Sequence, residues 1–175
     1  MDARSRAARI KLVAFDIDGV MTDGGLHYTD DGRELKTFNV QDGFGLKLLQ
    51  QAGLELAIVT GRTSGVVAAR AADLGIEHVF QGVADKAAVV AGLLEKLGLH
   101  WPECAFMGDD LIDLRVMSQC GLALAPANAR QVVRERAHAV TDSAGGHGAV
   151  REAVEFILDA QGKRETLFAA YLDTQ

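Results

Sequence analysis

Short apolar runs recur along this chain, and each gives way to a stretch with helical periodicity. Leu12–Phe15, Leu54–Val59, Ile76–Phe80, Cys104–Met107, Gly121–Ala125 and Ala137–Val140 are too short for stable helices. They are apolar on both faces, as strands covered on both sides must be. Between them, Asp42–Gln51, Ser64–Leu74, Asp85–Leu97, Leu111–Ser118, Ala129–Arg136 and Ala149–Ala160 read as helices. Asp42 and Ser64 serve as N-caps, and Gly53, Gly75 and Gly98 as stops. Strands alternating with helices specify an α/β fold with a doubly wound, mainly parallel sheet. One segment breaks the alternation: Leu26–Thr29 and Glu34–Phe38, around Asp30-Asp31-Gly32, read as a β-hairpin. At 175 residues the expectation is a single domain, 1–175, followed to its end by a tail from about residue 162. That tail carries Leu167, Phe168 and Tyr171 but no obvious core to join.

Composition narrows the partners. The chain is 49% hydrophobic and 24% charged, as expected of a soluble globular protein. A net charge of −6 with no dense Lys/Arg run argues against nucleic acid. No apolar stretch approaches the roughly 18 residues that cross a bilayer, and the N-terminus lacks the apolar core of a signal peptide, so a cytoplasmic location is expected. Cys104 and Cys120 lack metal-site spacing and read as small buried thiols.

Polar residues cluster where three strands end. In the stretch Lys11–Gly25 the first strand runs into Asp16, with Asp18 two positions on, so both carboxylates project from the same side of the backbone. Two such groups repel unless a cation lies between them or one carries a proton. Thr60 and Arg62 follow the second strand, and Asp109 and Asp110 follow Cys104–Met107. Open parallel sheets bind ligands outside the carboxyl ends of their strands, so all three clusters belong on one rim. Lys86, opening a helix, reaches the same place. Carboxylates, a hydroxyl and a lysine, without a histidine base or a glycine-rich nucleotide loop, suit a hard divalent cation and a phosphoryl group. Mg²⁺ takes one or two carboxylates plus substrate phosphate. A carboxylate can then be the nucleophile, with the rest of the site positioning and neutralising charge.

The order Asp16-x-Asp18-Gly19, Thr60, Lys86, Gly108-Asp109-Asp110-x-x-Asp113 resembles the haloacid dehalogenase superfamily, whose fold is Rossmann-like. Within it, FDIDGVMTDG, FNVQDGFGLKLL, TGRTSGVVAARAADLGI, GDDLIDLRVM and GGHGAVREAVEFIL are similar to the 3-deoxy-D-manno-octulosonate 8-phosphate (KDO 8-phosphate) phosphatase family. Ile17 and Met21 depart conservatively from that family's usual Val and Leu. The resemblance implies Asp16 as nucleophile and Asp18 as acid, then base. It implies Mg²⁺ held by Asp16, the Asp18 carbonyl and Asp109, with Asp110 and Asp113 further out. Thr60 and Lys86 would grip the phosphoryl group. Asn39, Val40, Gln41, Asp42, Gly43, Lys47, Arg62 and Arg70 match positions that line the sugar-acid pocket, where cations suit a carboxylate-bearing substrate. The hairpin, about residues 24–38, would be a flap in place of a cap domain. A homo-oligomer, a tetramer in this family, would close the site with a neighbouring subunit, and the product would feed lipopolysaccharide synthesis.

Rival readings fit less well. A signalling receiver domain would end its third strand in aspartate, where this chain reads Val79-Phe80-Gln81-Gly82. A non-catalytic, phosphatase-like tetramerisation module would have no need for intact Asp16, Asp18, Lys86 and Asp109. Among enzymes, the alternative is a phosphatase for another 2-keto sugar acid, such as a nine-carbon 9-phosphate.

Overall fold

The structure is a computed structural model and describes residues 1–172. A short helix, α1 (Ala3–Ala7), leads into β1 (Leu12–Phe15). Two two-residue strands follow, β2 (His27–Tyr28) and β3 (Glu34–Leu35), paired antiparallel around a turn in which Gly32 takes a φ of 78°. Then come α2 (Val40–Gln51), β4 (Glu55–Val59), α3 (Gly65–Leu74), β5 (His78–Phe80) and α4 (Lys86–Leu97). The second half contains β6 (Cys104–Met107), α5 (Leu114–Met117), β7 (Leu122–Ala125), α6 (Gln131–Arg134), β8 (Ala139–Val140), α7 (Ala149–Ala160) and α8 (Arg164–Leu172).

The six long-range strands form one sheet in the order β5-β4-β1-β6-β7-β8, and every adjacent pair is parallel. Alternate residues on each strand serve opposite faces. Val13, Phe15, Leu56, Ile58, Met107 and Leu124 pack under helices α1, α2, α3 and α7. Leu12, Ala14, Ala57, Val59, Phe106 and Ala123 pack under α4, α5 and α6. With both faces covered, the strands carry no polar alternation, and for that reason the sequence shows them as plain apolar runs. Phe15 and Phe106, the largest fully buried side chains, lie on neighbouring central strands and face opposite layers. Strand order reverses between β1 and β6, and a doubly wound sheet opens its binding crevice at such a switch.

Several boundaries differ from the sequence expectation, each for a local reason. Helix α2 is capped by Asn39, not Asp42: the Asn39 carboxamide oxygen accepts from the N–H groups of Gln41 (2.7 Å) and Asp42 (3.4 Å). Asp42 caps a different helix, since its carboxylate accepts from Arg151 N (2.8 Å) and Gly148 N (3.4 Å) at the start of α7. The expected helix over 111–118 is split into a 3₁₀ turn, Leu111–Asp113, and α5. The helix expected over 129–136 shrinks to α6. The tail does find a core. It forms α8, whose Leu167 and Phe168 pack against the α2/α7 layer and whose Tyr171 meets Phe44 edge-to-face, with ring centroids 5.2 Å apart. Residues 173–175 of that tail lie outside the described residues.

Candidate active site

Asp16 sits where β1 leaves the sheet. Its N–H donates to Met107 O (3.0 Å), the last parallel rung, so its side chain is fixed by the central strand pair. Oδ1 accepts from Ile17 N (2.7 Å), and Oδ2 lies 2.8 Å from Lys86 Nζ. The chain then coils tightly, with Val20, Met21 and Thr22 all donating to Ile17 O. Gly19 takes a φ of +85°, and a Cβ there would fall 2.1 Å from Asp109 Oδ2. The left-handed φ favours glycine, and its bare backbone leaves the Asp109 carboxylate undisplaced where the β1 and β6 loops meet.

The loop after β6 is organised by Asp113, which is fully buried. Its Oδ2 accepts from the N–H groups of Asp109 (3.0 Å) and Asp110 (3.2 Å), and its Oδ1 pairs with Lys86 at 2.7 Å. Asp110 is exposed, and its Oδ1 accepts from Leu111 N at the start of the 3₁₀ turn. Lys86 opens α4 behind its N-cap Asp85, which also ion-pairs with Arg115. The lysine is 3% exposed and carries two carboxylates, so it neutralises charge beneath the site. Thr60 is anchored through its backbone: its N–H donates to Phe80 O (2.9 Å) and its carbonyl accepts from Val83 N (3.0 Å).

These elements wall a cavity of about 260 Å³ lined by Asp16, Asp18, Gly24, Thr60, Gly61, Arg62, Asp109, Asp110 and Ile112. Carboxylates outnumber cations in it. Burial foremost, and then Asp113, pushes the Asp16 carboxyl up to about 6 against the pull of Lys86. Burial, followed by Asp113, Asp16 and Asp110, pushes Asp109 up to about 7. Acids held this far above their usual range are short of a positive charge. Asp16, Asp109 and Asp113 each offer an oxygen, all within 4.8 Å of one another. Oxygen-only donors around a phosphoryl-sized cavity fit Mg²⁺, and Asp113, already saturated by Lys86 and two amides, is the weakest donor of the three.

A family profile described as haloacid dehalogenase-like hydrolase matches residues 66–153. The 3-deoxy-D-manno-octulosonate 8-phosphate phosphatase of Escherichia coli (strain K12) is 44% identical over 162 residues, 93% of this chain and 86% of that protein. The chain belongs to the haloacid dehalogenase-like hydrolases, in the KDO 8-phosphate phosphatase family. Family members have been solved with ligands. The Moraxella catarrhalis enzyme, in complex with magnesium ion, phosphate ion and KDO, has a TM-score of 0.94 at 43% identity, covering 96% of this chain and 97% of that one. The cobalt-bound Haemophilus influenzae phosphatase has a TM-score of 0.87 at 40% identity, covering 90% and 92%.

Not every family position gathers at this cavity. Arg62 reaches the rim, with Nη2 on Tyr28 Oη (2.9 Å) and Glu34 Oε1 (2.8 Å) and Nε 3.7 Å from Asp18 Oδ2. Asn39, Val40, Gln41, Asp42, Gly43, Lys47 and Arg70 do not line it. Val40 is 77% exposed, and Lys47 is exposed on α2. Arg70 lies over Phe38 (5.9 Å) and donates to Asn39 O (3.5 Å), close to Gly43, where a Cβ would sit 2.2 Å from Arg70 Nη2.

Three contributors went unnoticed in the sequence. Lys36 reaches in from the hairpin and ion-pairs with Asp18, and Glu34 bridges Lys36 and Arg62. A two-residue alternation, with Glu34 and Lys36 on one face and exposed Leu35 on the other, was the available signal. Asn128 joins two loops, donating to Gly19 O (3.3 Å) and accepting from Gly145 N (2.7 Å).

Proposed function

We propose that this chain hydrolyses KDO 8-phosphate to KDO and inorganic phosphate, with Asp16 as nucleophile. The observation that carries the reading is Asp16 itself, fixed by the β1/β6 rung, paired with Lys86 and open to a cavity shared with Thr60, Asp18 and Asp109. An Asp16 oxygen bonds to phosphorus while the bond from phosphorus to the sugar oxygen breaks, and that oxygen takes a proton from Asp18. Water then attacks the aspartyl-phosphate, gives its proton back to Asp18, and releases phosphate and free Asp16. Thr60 and Lys86 hold the phosphoryl oxygens. Mg²⁺, bound by Asp16, the Asp18 carbonyl and Asp109 with Asp110 and Asp113 behind them, supplies neutralisation of the phosphoryl charge.

On this reading residues 1–175 are one phosphatase domain, with the hairpin at about 24–38 as a flap and a tail from about 162. The cavity is small beside the ~300–1,000 Å³ of ordinary ligand sites, so part of an eight-carbon acid must extend beyond it. Tyr28 and Leu35 on the hairpin and Val40 beside it are exposed, as in a surface that pairs with another copy. We assign Asn39, Val40, Gln41, Asp42, Gly43, Lys47 and Arg70, together with Arg62, to recognition of the sugar acid, completed across subunits of a homotetramer. No helix among the described residues is long and apolar enough to cross a membrane. The proposed setting is the cytoplasm, in lipopolysaccharide synthesis.

The test is Mg²⁺-dependent phosphate release from a panel of KDO 8-phosphate, a nine-carbon 9-phosphate and hexose phosphates, for wild type and Asp16→Asn. Wild type should prefer KDO 8-phosphate in kcat/KM. Asp16→Asn should lose on the order of 10³-fold or more. Equal activity in the two proteins would overturn catalysis through Asp16, and a preference for the nine-carbon substrate would change the sugar but not the chemistry.

A further inference from the structure

The flap hairpin carries a buried ammonium that the reaction scheme does not use. The Lys36 side chain is 2% exposed; its Nζ ion-pairs with Asp18 Oδ1 and lies 3.4 Å from Glu34 Oε1. An ammonium removed from water must be matched by charge, and here two carboxylates match it. Asp18 and Glu34 are its ion-pair partners, and in Asp18 it touches the proposed proton carrier.

Its effect on Asp18 is geometric. Oδ1 is taken by Lys36, whereas the cation nearest Oδ2 among the described residues is Arg62, with Nε at 3.7 Å, beyond hydrogen-bond distance. Arg62 is in turn tethered to Glu34 at 2.8 Å and to Tyr28 at 2.9 Å, so both cations around Asp18 are held by the hairpin. We propose that Lys36 is a positioning residue: by holding Oδ1 it fixes the Asp18 carboxyl plane and leaves Oδ2 as the oxygen that meets the leaving group. The flap thereby takes part in the chemistry as well as partly covering the site. The inference rests on the reading of Asp18 as proton carrier. When the bond between phosphorus and the sugar oxygen breaks, the electron pair stays on that oxygen, and the proton comes from Asp18 Oδ2. In the second half, the proton of the attacking water goes to the same atom.

Leaving-group dependence tests this. A sugar alkoxide needs a proton to depart, whereas p-nitrophenolate does not. With the full chain and saturating Mg²⁺, kcat and KM are measured on KDO 8-phosphate and p-nitrophenyl phosphate for wild type, Asp18→Asn, Lys36→Met and Lys36→Arg. Lys36→Met should lower the sugar-to-aryl ratio of kcat by about 10–100-fold, part of the ~10²–10⁴-fold a positioned acid contributes, and shift KM less. Lys36→Arg should recover most of the ratio. Asp18→Asn should lower it further. If Asp18→Asn leaves the ratio at its wild-type value, the underlying reading of Asp18 fails. If Asp18→Asn lowers the ratio but Lys36→Met leaves it unchanged, whether both activities hold or fall together, the Lys36 inference alone is overturned. Should Lys36→Met yield no folded protein, Lys36→Gln decides by the same ratio.

Discussion

At the scale of single residues, the site depends on close approaches that only certain side chains permit. Gly19 meets both conditions, a left-handed φ and a neighbour at 2.1 Å from any added Cβ. Gly19→Ala should therefore push Asp109 out of place and weaken Mg²⁺ binding by about 10–100-fold, as loss of a ligand's supporting contacts does. Activity titrated against Mg²⁺ checks it: the half-saturating concentration should rise, with partial recovery of rate at high Mg²⁺. Asp16 and Asp109 could be read from their places at strand ends, because period and strand polarity dictate where such residues emerge. Asp113 could not. Its burial under Lys86 depends on α4 crossing behind the β6 loop, and sequence spacing carries no trace of that crossing.

At the scale of elements, long-range capping ties the halves of the molecule together. Asp42 on α2 accepts N–H bonds from the first turn of α7, more than 100 residues away, and is 2% exposed. Asp42→Ala should cost about 0.5–2 kcal/mol of stability, the range of a lost N-cap, with Asp42→Asn costing less; urea unfolding of both variants measures it. The sequence points to Asp42 as the cap of α2, although Asn39 is by residue type as good a cap. The choice fell to Asn39 because α7 claims the Asp42 carboxylate in the folded state. The tail was obscure for a related reason: α8 half-buries Leu167 and Phe168 against the core layer and sets Tyr171 on Phe44 of α2, far away in the chain, so no local pattern marks that partner. Helix α7, with a complete apolar stripe, spans Ala149–Ala160 as the sequence predicts.

At the scale of the whole molecule, electrostatics makes the metal part of stability. Asp16 and Asp109 titrate in the folded, metal-free state near 6 and 7, against 3.8 unperturbed. Between about pH 4 and 7 the native state thus holds protons that the unfolded chain has released, and metal-free stability falls as pH rises through that window. Mg²⁺ replaces those protons. Its gain in Tm should be larger at pH 8 than at pH 5, measured by calorimetry with Mg²⁺ or a chelator; a gain independent of pH would count against the cation site. Assembly supplies a second test. If Lys47 and Arg70 serve a neighbour's cavity, mixing Asp16→Asn with a Lys47→Ala/Arg70→Ala double variant, under conditions that exchange subunits, should restore activity that neither shows alone.

The sequence alone was enough to specify the class of fold and the chemistry of the rim. Parallel strands covered on both faces must be apolar throughout, and the polar residues that end them must emerge together at one edge. Only the tertiary structure decided how charge is distributed beneath and above that edge. Packing of α4 against β4 and α5 places Lys86 between Asp16 and Asp113, and folding of a four-residue hairpin ladder over the opening sets Lys36 against Asp18. Those pairings join segments far apart in the chain, where neither periodicity nor spacing records which oxygen faces which ammonium.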